Sequence, residues 1–405
     1  MIENILDRLF MRRHFWRHAS FSEVAELYAS RTLRMTALYL VGGFLSIFLY
    51  KNGYGITSIA LFWLTLNLFR VVISLPLAKL VSIIGPKRST FISNISYIPA
   101  MVGFALLPTY GIWMLAPIIF FEAISISLYS IAYNVGFSKV KSPSNAGKEL
   151  AFTHIMEKLA CGLSPVVGGF LALWFGPEVV LVISGALFLA AAVPLFRTGE
   201  KVKLRKPLNV RALPWKLIRG HIVPHAIFSF QAYIIGTVWA LYVAVVIIGV
   251  GTGDEVYAVV GVLSSVVLFV SLIAAIIYGR LVDNKKGKEL MQFSIVFLSI
   301  SHLFRGITSS VVGVATLNAG TEAANTGASI PYVRALFDNA DRSGNRIAYF
   351  GITEMVNGLG STFASALLLV LGLAMGEADA LRSMFIIASG LTLLMLTARF
   401  PMYKK

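Results

Sequence analysis

The sequence predicts an all-α polytopic membrane protein, with twelve transmembrane helices in two six-helix bundles related by a pseudo-twofold axis along the membrane normal. Three observations predict this class: an apolar composition, spanning-length apolar segments along the whole chain, and basic residues confined to alternate connections. The 405 residues are 57% hydrophobic and 13% charged, whereas soluble domains carry roughly 25% charged residues. This composition excludes a soluble enzyme and a disordered chain, and the single cysteine excludes an intrachain disulfide.

Twelve apolar segments recur between Met35 and Ala398. Each approaches the ~17–25 residues that a helix needs to cross a hydrocarbon core of about 30 Å. They are too long for membrane strands and lack the alternating pattern of such strands. The expected spans are residues 33–50, 56–80, 89–107, 112–136, 150–173, 179–196, 222–248, 257–279, 290–308, 313–336, 347–374 and 381–398.

The positions of lysine and arginine predict the orientation, because cytoplasmic connections carry the basic excess. With the N-terminus inside, 30 of the 35 basic residues fall in the terminal segments or the even-numbered connections. Only Lys51 and Arg382 fall in connections on the outer side of the membrane. We therefore expect a multi-pass protein of a cytoplasmic (inner) membrane with both termini in the cytoplasm. The net charge of +16 then reflects topology, and no nucleic-acid partner is expected.

Polar segments divide the chain into four parts. The basic N-terminal part has apolar residues at helical spacing, which predicts an amphipathic helix on the inner leaflet; a disordered tail is the alternative. The parts are a cytoplasmic segment (1–32), the N-terminal six-helix bundle (33–196), a basic cytoplasmic linker (197–221) and the C-terminal six-helix bundle (222–405).

The two halves share a sequence plan. Glu122 and the alanine after it recur at Glu322, and Glu157 recurs at Glu354. Because each half contains an even number of spans, both halves enter the membrane with the same orientation. The axis that relates them must then run along the membrane normal.

One cytoplasmic connection carries a motif. Residues 279–288 read Gly-Arg-Leu-Val-Asp-Asn-Lys-Lys-Gly-Lys, which closely resembles the loop signature of the major facilitator superfamily. That family has its stronger copy between spans 2 and 3, where Ala78 and Ser82 here replace the glycine and the aspartate. The resemblance implies a secondary active transporter that moves a small organic solute by alternating access.

The fifth segment resembles the antiporter motif of proton-coupled exporters in the same superfamily. Ser164, Pro165, Gly168 and Gly169 follow its spacing, and the proline and both glycines match it. Small residues allow helices to approach closely, and proline bends a helix. The resemblance implies proton-coupled antiport; ordinary small-residue packing is the alternative.

Acidic residues in the middle of two apolar segments are candidates for transport and coupling. A charge at mid-bilayer costs at least ~2.5–3.5 kcal/mol, so each needs a partner or a wet cavity. The resemblance places both helices on the central cavity, face to face, where the acids could carry the coupling proton or bind a cationic group. A structural ion pair or hydrogen-bonded carboxyl is the alternative. The two polar faces are Glu122, Ser125, Tyr129 and Tyr133, and Asn318, Glu322, Asn325 and Ser329.

Two arginines also fall inside apolar segments. Arg70 lies near the centre of the second segment, and we expect it to pair with a carboxylate, Glu122 being the candidate, or to meet an anionic group of the substrate. Arg305 lies late in the ninth segment, from which its side chain could extend outward to the membrane interface.

A second charged set lies nearer the cytoplasm and predicts a gate. The resemblance implies that acidic residues of the fifth and eleventh segments pair with basic loop residues in the outward-open state. Static salt bridges between helices are the alternative. The candidates are Glu354 with Lys79 or Lys87, Glu157 with Arg280, and Asp283 of the loop signature.

The leading hypothesis is a monomeric proton-coupled antiporter that exports a small organic solute. A proton-coupled symporter is the second hypothesis, and a non-transporting sensor or scaffold on the same fold is the third. No glycine-rich segment has P-loop spacing, and the six histidines form no metal-ligand cluster. We therefore expect no cofactor, no metal and no enzymatic activity, with the solute, H+ and the lipid bilayer as partners.

Overall fold

A computed structural model gives the architecture of the chain. It describes residues 21–42, 44–140, 146–196, 208, 215–249, 255–283 and 286–403. Over these residues the secondary structure is helical with short connections, so the all-α prediction is confirmed. The predicted amphipathic helix, within residues 1–20, and most of the predicted linker lie outside the described residues.

Helical stretches in the described part of the chain coincide with all twelve apolar segments, and we number them in chain order. The first half contains α1 (Phe21–Val41 with Leu45–Lys51), α2 (Ile56–Ile84), α3 (Pro86–Tyr110), α4 (Leu115–Val140), α5 (Ala146–Phe175) and α6 (Pro177–Ala192). The second half contains α7 (Ile222–Tyr233, Ile234–Val238, Trp239–Tyr242 and Val243–Ile248), α8 (Glu255–Asp283), α9 (Gly287–Ile307), α10 (Val311–Arg342), α11 (Arg346–Ala374) and α12 (Glu377–Thr392).

Nine stretches within the described residues are long and apolar enough to cross a membrane. One of them, Pro86–Ser138, contains both α3 and α4, whereas α5 is apolar only over Gly162–Phe175. These stretches agree with a multi-pass membrane protein. The number of crossings, twelve, stays a prediction, as do the symmetry axis and the domain limits.

Local residues set the helix boundaries. Gly85 has φ of 90° between α2 and α3, a conformation that side chains disfavour. Pro86 follows in the first turn of α3, where its missing N–H leaves no bond unmade. The N-terminus of α11 is capped by Asn345, whose side chain accepts a hydrogen bond from the Ala348 N–H at 3.2 Å.

Two helix pairs join the halves: α2 packs along α11, and α5 packs along α8. In the first pair, Gly358 lies directly against Val71, so that a Cβ on the glycine would collide with the valine side chain. In the second pair, the Ser265 hydroxyl donates to the carbonyl of Gly162. Small residues and hydroxyls thus bring the backbones of the two halves close together.

The halves also meet at the expected outer end. Glu377 of α12 accepts a hydrogen bond from the Tyr50 hydroxyl at 2.8 Å and another from the Ile56 N–H at 3.0 Å. Its carboxylate therefore satisfies a free N–H in the first turn of α2 from across the interface. We call this group, Tyr50, Ile56 and Glu377, the outer contact.

A second meeting point lies at the expected inner end, between α4 and α10. The Ser138 hydroxyl donates to Asp341 at 2.8 Å, and the rings of Phe137 and Phe337 pack with centroids 5.2 Å apart. We call these four residues the inner contact. In this conformation the two halves therefore touch at both ends.

The first helix begins earlier than the sequence analysis expected. The predicted span starts at residue 33, but α1 begins at Phe21 and its candidate span begins at Glu26. Arg31, which falls in the predicted cytoplasmic segment, thus belongs to the same helix as Arg34, and Arg34 is buried. Both side chains find partners inside the bundle, so the helix continues through the charged positions.

Candidate transport site

A buried ion pair links the two halves near the middle of α2. Arg70 donates through Nη2 to Oε1 of Glu354 on α11 at 2.6 Å. The Arg70 side chain is 12% exposed and that of Glu354 only 1%, so the pair is shielded from water. Arg70 also donates to Asn67 at 2.9 Å, and Asn357 donates to the other oxygen of Glu354 at 3.4 Å. Removing either charge would leave the other buried without its partner, which is strongly destabilising.

The partner of Arg70 differs from the one predicted. The predicted candidate was Glu122, on a neighbouring helix of the same half. That pairing is wrong in this structure, because α2 packs along α11 and brings Arg70 against Glu354 instead. The prediction that Arg70 pairs with a carboxylate agrees with the geometry.

Glu122 is buried in the first half, close to this ion pair. Its Oε1 accepts a hydrogen bond from the Tyr97 hydroxyl of α3 at 3.1 Å. Its Oε2 has no hydrogen-bond partner among the described residues. The positive charge of Arg70 acts on this carboxylate. Arg70 is therefore bonded to one acid, Glu354, and within electrostatic range of a second, Glu122.

Glu322, the repeat counterpart of Glu122, has different surroundings. It accepts a hydrogen bond from Thr326 of its own helix at 3.1 Å, and its charge acts on Arg305 of α9. Arg305 does not reach the interface: it is 1% exposed, with Cζ 4.4 Å from the ring centroid of Trp239. The outward orientation expected for Arg305 is thus wrong, because an aromatic ring and an acid receive its charge inside the bundle.

Helix α7 is irregular on both sides of Trp239. Ile234–Val238 and Val243–Ile248 are π-helical, and such segments often occur at functional sites. The indole N–H of Trp239 donates to Asn318 on α10 at 2.6 Å. Apolar periodicity carries no signal for these π-helical turns, so the sequence analysis missed them.

The remaining predicted transport residues lie on α4 and α10. Tyr129 is buried with its ring centroid 4.0 Å from Cζ of Arg34, and Asn325 is half-buried on α10. Glu122 and Glu322 each contact residues of their own half. The link between the halves near them is the Arg70–Glu354 pair. That the two acids face each other across a central cavity stays a prediction.

The predicted gate pairs are not formed in this structure. Glu157 accepts a hydrogen bond from Arg31 of α1 at 2.7 Å instead of meeting Arg280, which is exposed near the end of α8. Helix α1 extends far enough toward the expected cytoplasmic side to supply Arg31 in this conformation, and the Glu157–Arg280 pair of the outward-open state stays a prediction. The Asp283 side chain lies outside the described residues.

The two lysine candidates for Glu354 are also placed elsewhere. Lys87 donates to Glu26 of α1 at 2.5 Å, and Lys79 is exposed. Glu354 is occupied by Arg70, which lies deeper in the bundle. The observed inner contact uses Ser138 and Asp341 in place of the predicted pairs.

The four residues of the antiporter-like motif lie where α5 crosses α1 and α8. A Cβ on Gly168 would collide with the Leu40 carbonyl of α1, and one on Gly169 with the Tyr257 carbonyl of α8. The Pro165 carbonyl faces α8 in the same close manner, and Ser164 is buried. The motif therefore packs three helices tightly, and its role in coupling stays a prediction.

The fold is that of a multi-pass helical membrane protein whose two halves are joined by a buried ion pair. A sequence model of the Major Facilitator Superfamily matches residues 27–257. This match covers more than half of the chain, so the chain belongs to that superfamily. Family membership confirms the prediction of an integral membrane transporter of small solutes rather than an enzyme.

Solved structures share the fold along nearly the whole chain. A POT family transporter in complex with 5-aminolevulinic acid superposes with a TM-score of 0.67 at 12% identity, covering 95% of this chain and 97% of that one. The human organic anion transporter MFSD10 (TETRAN) superposes with a TM-score of 0.64 at 14% identity, covering 92% and 97%. At these identities the similarity shows the fold alone. No curated protein matches the sequence.

Proposed function

We propose that the protein couples solute transport to a proton gradient, with Arg70 switching between Glu354 and Glu122. The observation that carries this proposal is the ion pair between the halves, next to a buried carboxylate with one oxygen unpartnered among the described residues. A coupled transporter needs a group whose protonation changes how the halves are held together, and this arrangement supplies one.

The switch follows from the cost of buried charge. A proton on Oε2 of Glu122 removes a negative charge that is otherwise buried with one described hydrogen bond. Arg70 then stays with Glu354 and holds α2 against α11. When the proton leaves to water, the ionised Glu122 competes for Arg70, and the link between the halves weakens. The proton thereby biases the conformational equilibrium, which is what coupling requires.

Antiport, and hence export, is the direction that we propose. The tight crossing of α5 with α1 and α8 at Gly168 and Gly169 supports it, since the motif that resembles exporters packs where the halves meet. The excess of basic residues in alternate connections supports a cytoplasmic membrane with both termini inside. We propose a monomer as the working unit, because each half already packs against the other within one chain.

The test is solute-driven proton movement in proteoliposomes. Vesicles that contain a pH-sensitive dye are loaded with membrane-impermeant organic anions, cations or zwitterions, one at a time, and diluted into solute-free buffer. In antiport, the outward movement of the solute brings protons in and acidifies the lumen. In symport, the same movement carries protons out and makes the lumen alkaline.

Glu122→Gln should abolish the proton movement while labelled solute still exchanges, because the amide keeps the Tyr97 contact and loses the titrating group. Arg399→Gln, which changes an exposed arginine, is the matched control. Export of a labelled solute by the unaltered protein without any change of lumenal pH would show that proton coupling is wrong.

A further inference from the structure

A second buried charged group lies in the first half and is not used by the proposed switch. Arg31 and Arg34 are one turn apart on α1, and Tyr129 and Tyr133 are one turn apart on α4. Cζ of Arg34 lies 4.0 Å from the ring centroid of Tyr129, and Cζ of Arg31 lies 4.1 Å from that of Tyr133. The two phenol rings stack with centroids 5.5 Å apart. We call these four residues the arginine–tyrosine ladder.

The ladder contains two positive charges, and the described residues around it supply only one paired negative charge, that of Glu157. Arg31 pairs with Glu157 at 2.7 Å. The hydrogen bonds of Arg34 go to neutral groups, the side chains of Asn94 at 2.7 Å and Ser125 at 3.1 Å. The like charge of Arg31 also acts on Arg34. Because Arg34 is only 1% exposed, a nearby negative charge would stabilise it strongly.

The ladder also holds four polar atoms that can donate a hydrogen bond and have no described acceptor. They are Nε of Arg31 and Arg34 and the hydroxyls of Tyr129 and Tyr133, all buried. The Arg31 guanidinium lies close enough to donate to the Tyr129 hydroxyl, so for Tyr129 it is the hydroxyl's own proton that has no described acceptor. Buried polar groups in folded proteins nearly always have a partner. Both guanidinium groups act electrostatically on the Tyr129 phenol, so these donors lie in one region of the bundle.

We propose that the arginine–tyrosine ladder binds the carboxylate of an organic anion and that this is the class of the transported solute. The inference rests on the proposed transport function, whose substrate class it names, and it does not depend on proton coupling. A carboxylate can accept two hydrogen bonds from a guanidinium and one from a hydroxyl. The stacked phenol rings provide an apolar wall for the organic part of the solute.

The position of the ladder connects it to the opening of the halves. Tyr133 stacks on Phe137 with centroids 6.0 Å apart, and Phe137 packs on Phe337 of the second half in the inner contact. The Tyr133 end of the ladder therefore lies one helical turn from the place where the halves touch, and the Tyr129 end lies two turns away. Binding and release there are coupled to that contact through a continuous row of rings.

The test measures anion binding by the full-length protein in detergent. Sodium benzoate is the probe, and benzamide is its neutral isostere, both at an ionic strength fixed with sodium chloride. Tryptophan fluorescence reports the midpoint of thermal unfolding. We expect benzoate to raise the midpoint with increasing concentration and benzamide to leave it unchanged, because a ligand of the folded state stabilises that state.

Three variants test the residues of the ladder. Arg34→Gln should abolish the benzoate shift, whereas Tyr129→Phe should weaken the apparent affinity about tenfold, as the loss of one hydrogen bond to a charged group predicts. Tyr129→Phe removes a hydroxyl that has no described acceptor and leaves both arginines in place, so it should fold even if Arg34→Gln does not. Arg399→Gln is the control that removes an exposed arginine and should respond as the unaltered protein does.

A benzoate shift no larger than that of benzamide would overturn the proposal, as would equal benzoate affinity in Tyr129→Phe and the unaltered protein. The assay contains no proton gradient. Loss of benzoate binding with intact solute-driven proton movement therefore rejects the anion site alone. Benzoate binding without proton movement rejects the coupling alone.

Discussion

The two halves of the molecule each bury an arginine against an aromatic ring, but they neutralise it differently. In the first half, Arg34 lies over Tyr129 and donates to neutral side chains. In the second half, Arg305 lies over Trp239 and feels the charge of Glu322. Both arginines are 1% exposed, so the difference lies in the available acid and not in the depth.

The difference follows from the partners of the repeated glutamate in each half, Glu122 in the first and Glu322 in the second. Glu122 is held by Tyr97 and lies in the field of Arg70, which itself bonds across the interface to Glu354. Glu322 accepts a hydrogen bond from Thr326 and acts electrostatically on Arg305, both in its own half. The internal repeat thus reproduces the position of the acids but not their partners. We infer that the coupling and substrate groups are those of the first half together with Glu354 of α11, whereas Glu322 and Arg305 mainly stabilise the second bundle.

The largest expected effect comes from the ion pair that joins the halves. Glu354→Gln removes the acid that is bonded to Arg70 and leaves only the unbonded Glu122 near its buried charge. Breaking a buried pair in this way costs about 3–5 kcal/mol. We expect a lower midpoint of thermal unfolding and loss of solute-driven proton movement. The double variant Arg70→Gln with Glu354→Gln should regain most of the stability, since it removes both charges, but not the proton movement.

The matched control for this pair is an exposed one in the second half. Arg342 and Asp338 are i,i+4 neighbours on α10 with side chains 53% and 32% exposed. Arg342→Gln should change the free energy of unfolding by no more than about 0.5 kcal/mol. If Glu354→Gln proves no more destabilising than Arg342→Gln, the pair does not hold the halves together.

The next effect separates the two repeated acids. Glu122→Gln should remove proton movement with little change in stability, because its amide oxygen still accepts the Tyr97 hydrogen bond. Glu322→Gln takes the opposite charge from Arg305 and should lower the free energy of unfolding by about 1–3 kcal/mol. Glu289→Gln, an exposed change on α9, is the control for both. Equal behaviour of the two variants in both assays would refute the division of roles between the halves.

The helical fold class could be predicted from the sequence because membrane helices are recognisable as long apolar segments. Each expected segment coincides with a helix, since backbone groups in a bilayer must be satisfied within the segment. The acids at Glu122, Glu322 and Glu354 were also found, because a charge inside an apolar segment is rare and conspicuous.

The partners of those charges could not be read from the sequence. Arg70 meets Glu354 only because α2 and α11, 284 residues apart at this contact, pack along each other. Arg31 falls in the predicted cytoplasmic segment because hydropathy places the end of a span at the first charges. The spacing of two arginines on α1 and of two tyrosines on α4, one turn in each case, was the available signal for the ladder.

The smallest expected effects come from the contacts at the two ends, and they test whether each end closes independently. Glu377→Gln replaces a charged acceptor with a neutral one in the outer contact, while Ser138→Ala removes one hydrogen bond from the inner contact. Each change should make the free energy of closing that end less favourable by about 1 kcal/mol. This is roughly a fivefold change in the ratio of closed to open molecules. The two variants should open opposite ends.

Spin-label distances in a Cys161→Ala background measure the opening at each end. Labels at Trp113 and Val312, both exposed, report the outer end, and labels at the exposed residues Ile83 and Lys288 report the inner end. We expect Glu377→Gln to lengthen the outer distance and Ser138→Ala to lengthen the inner one. Because opening one end of a rocking pair of bundles closes the other, lengthening of both distances in a single variant would contradict alternating access about the Arg70–Glu354 pair.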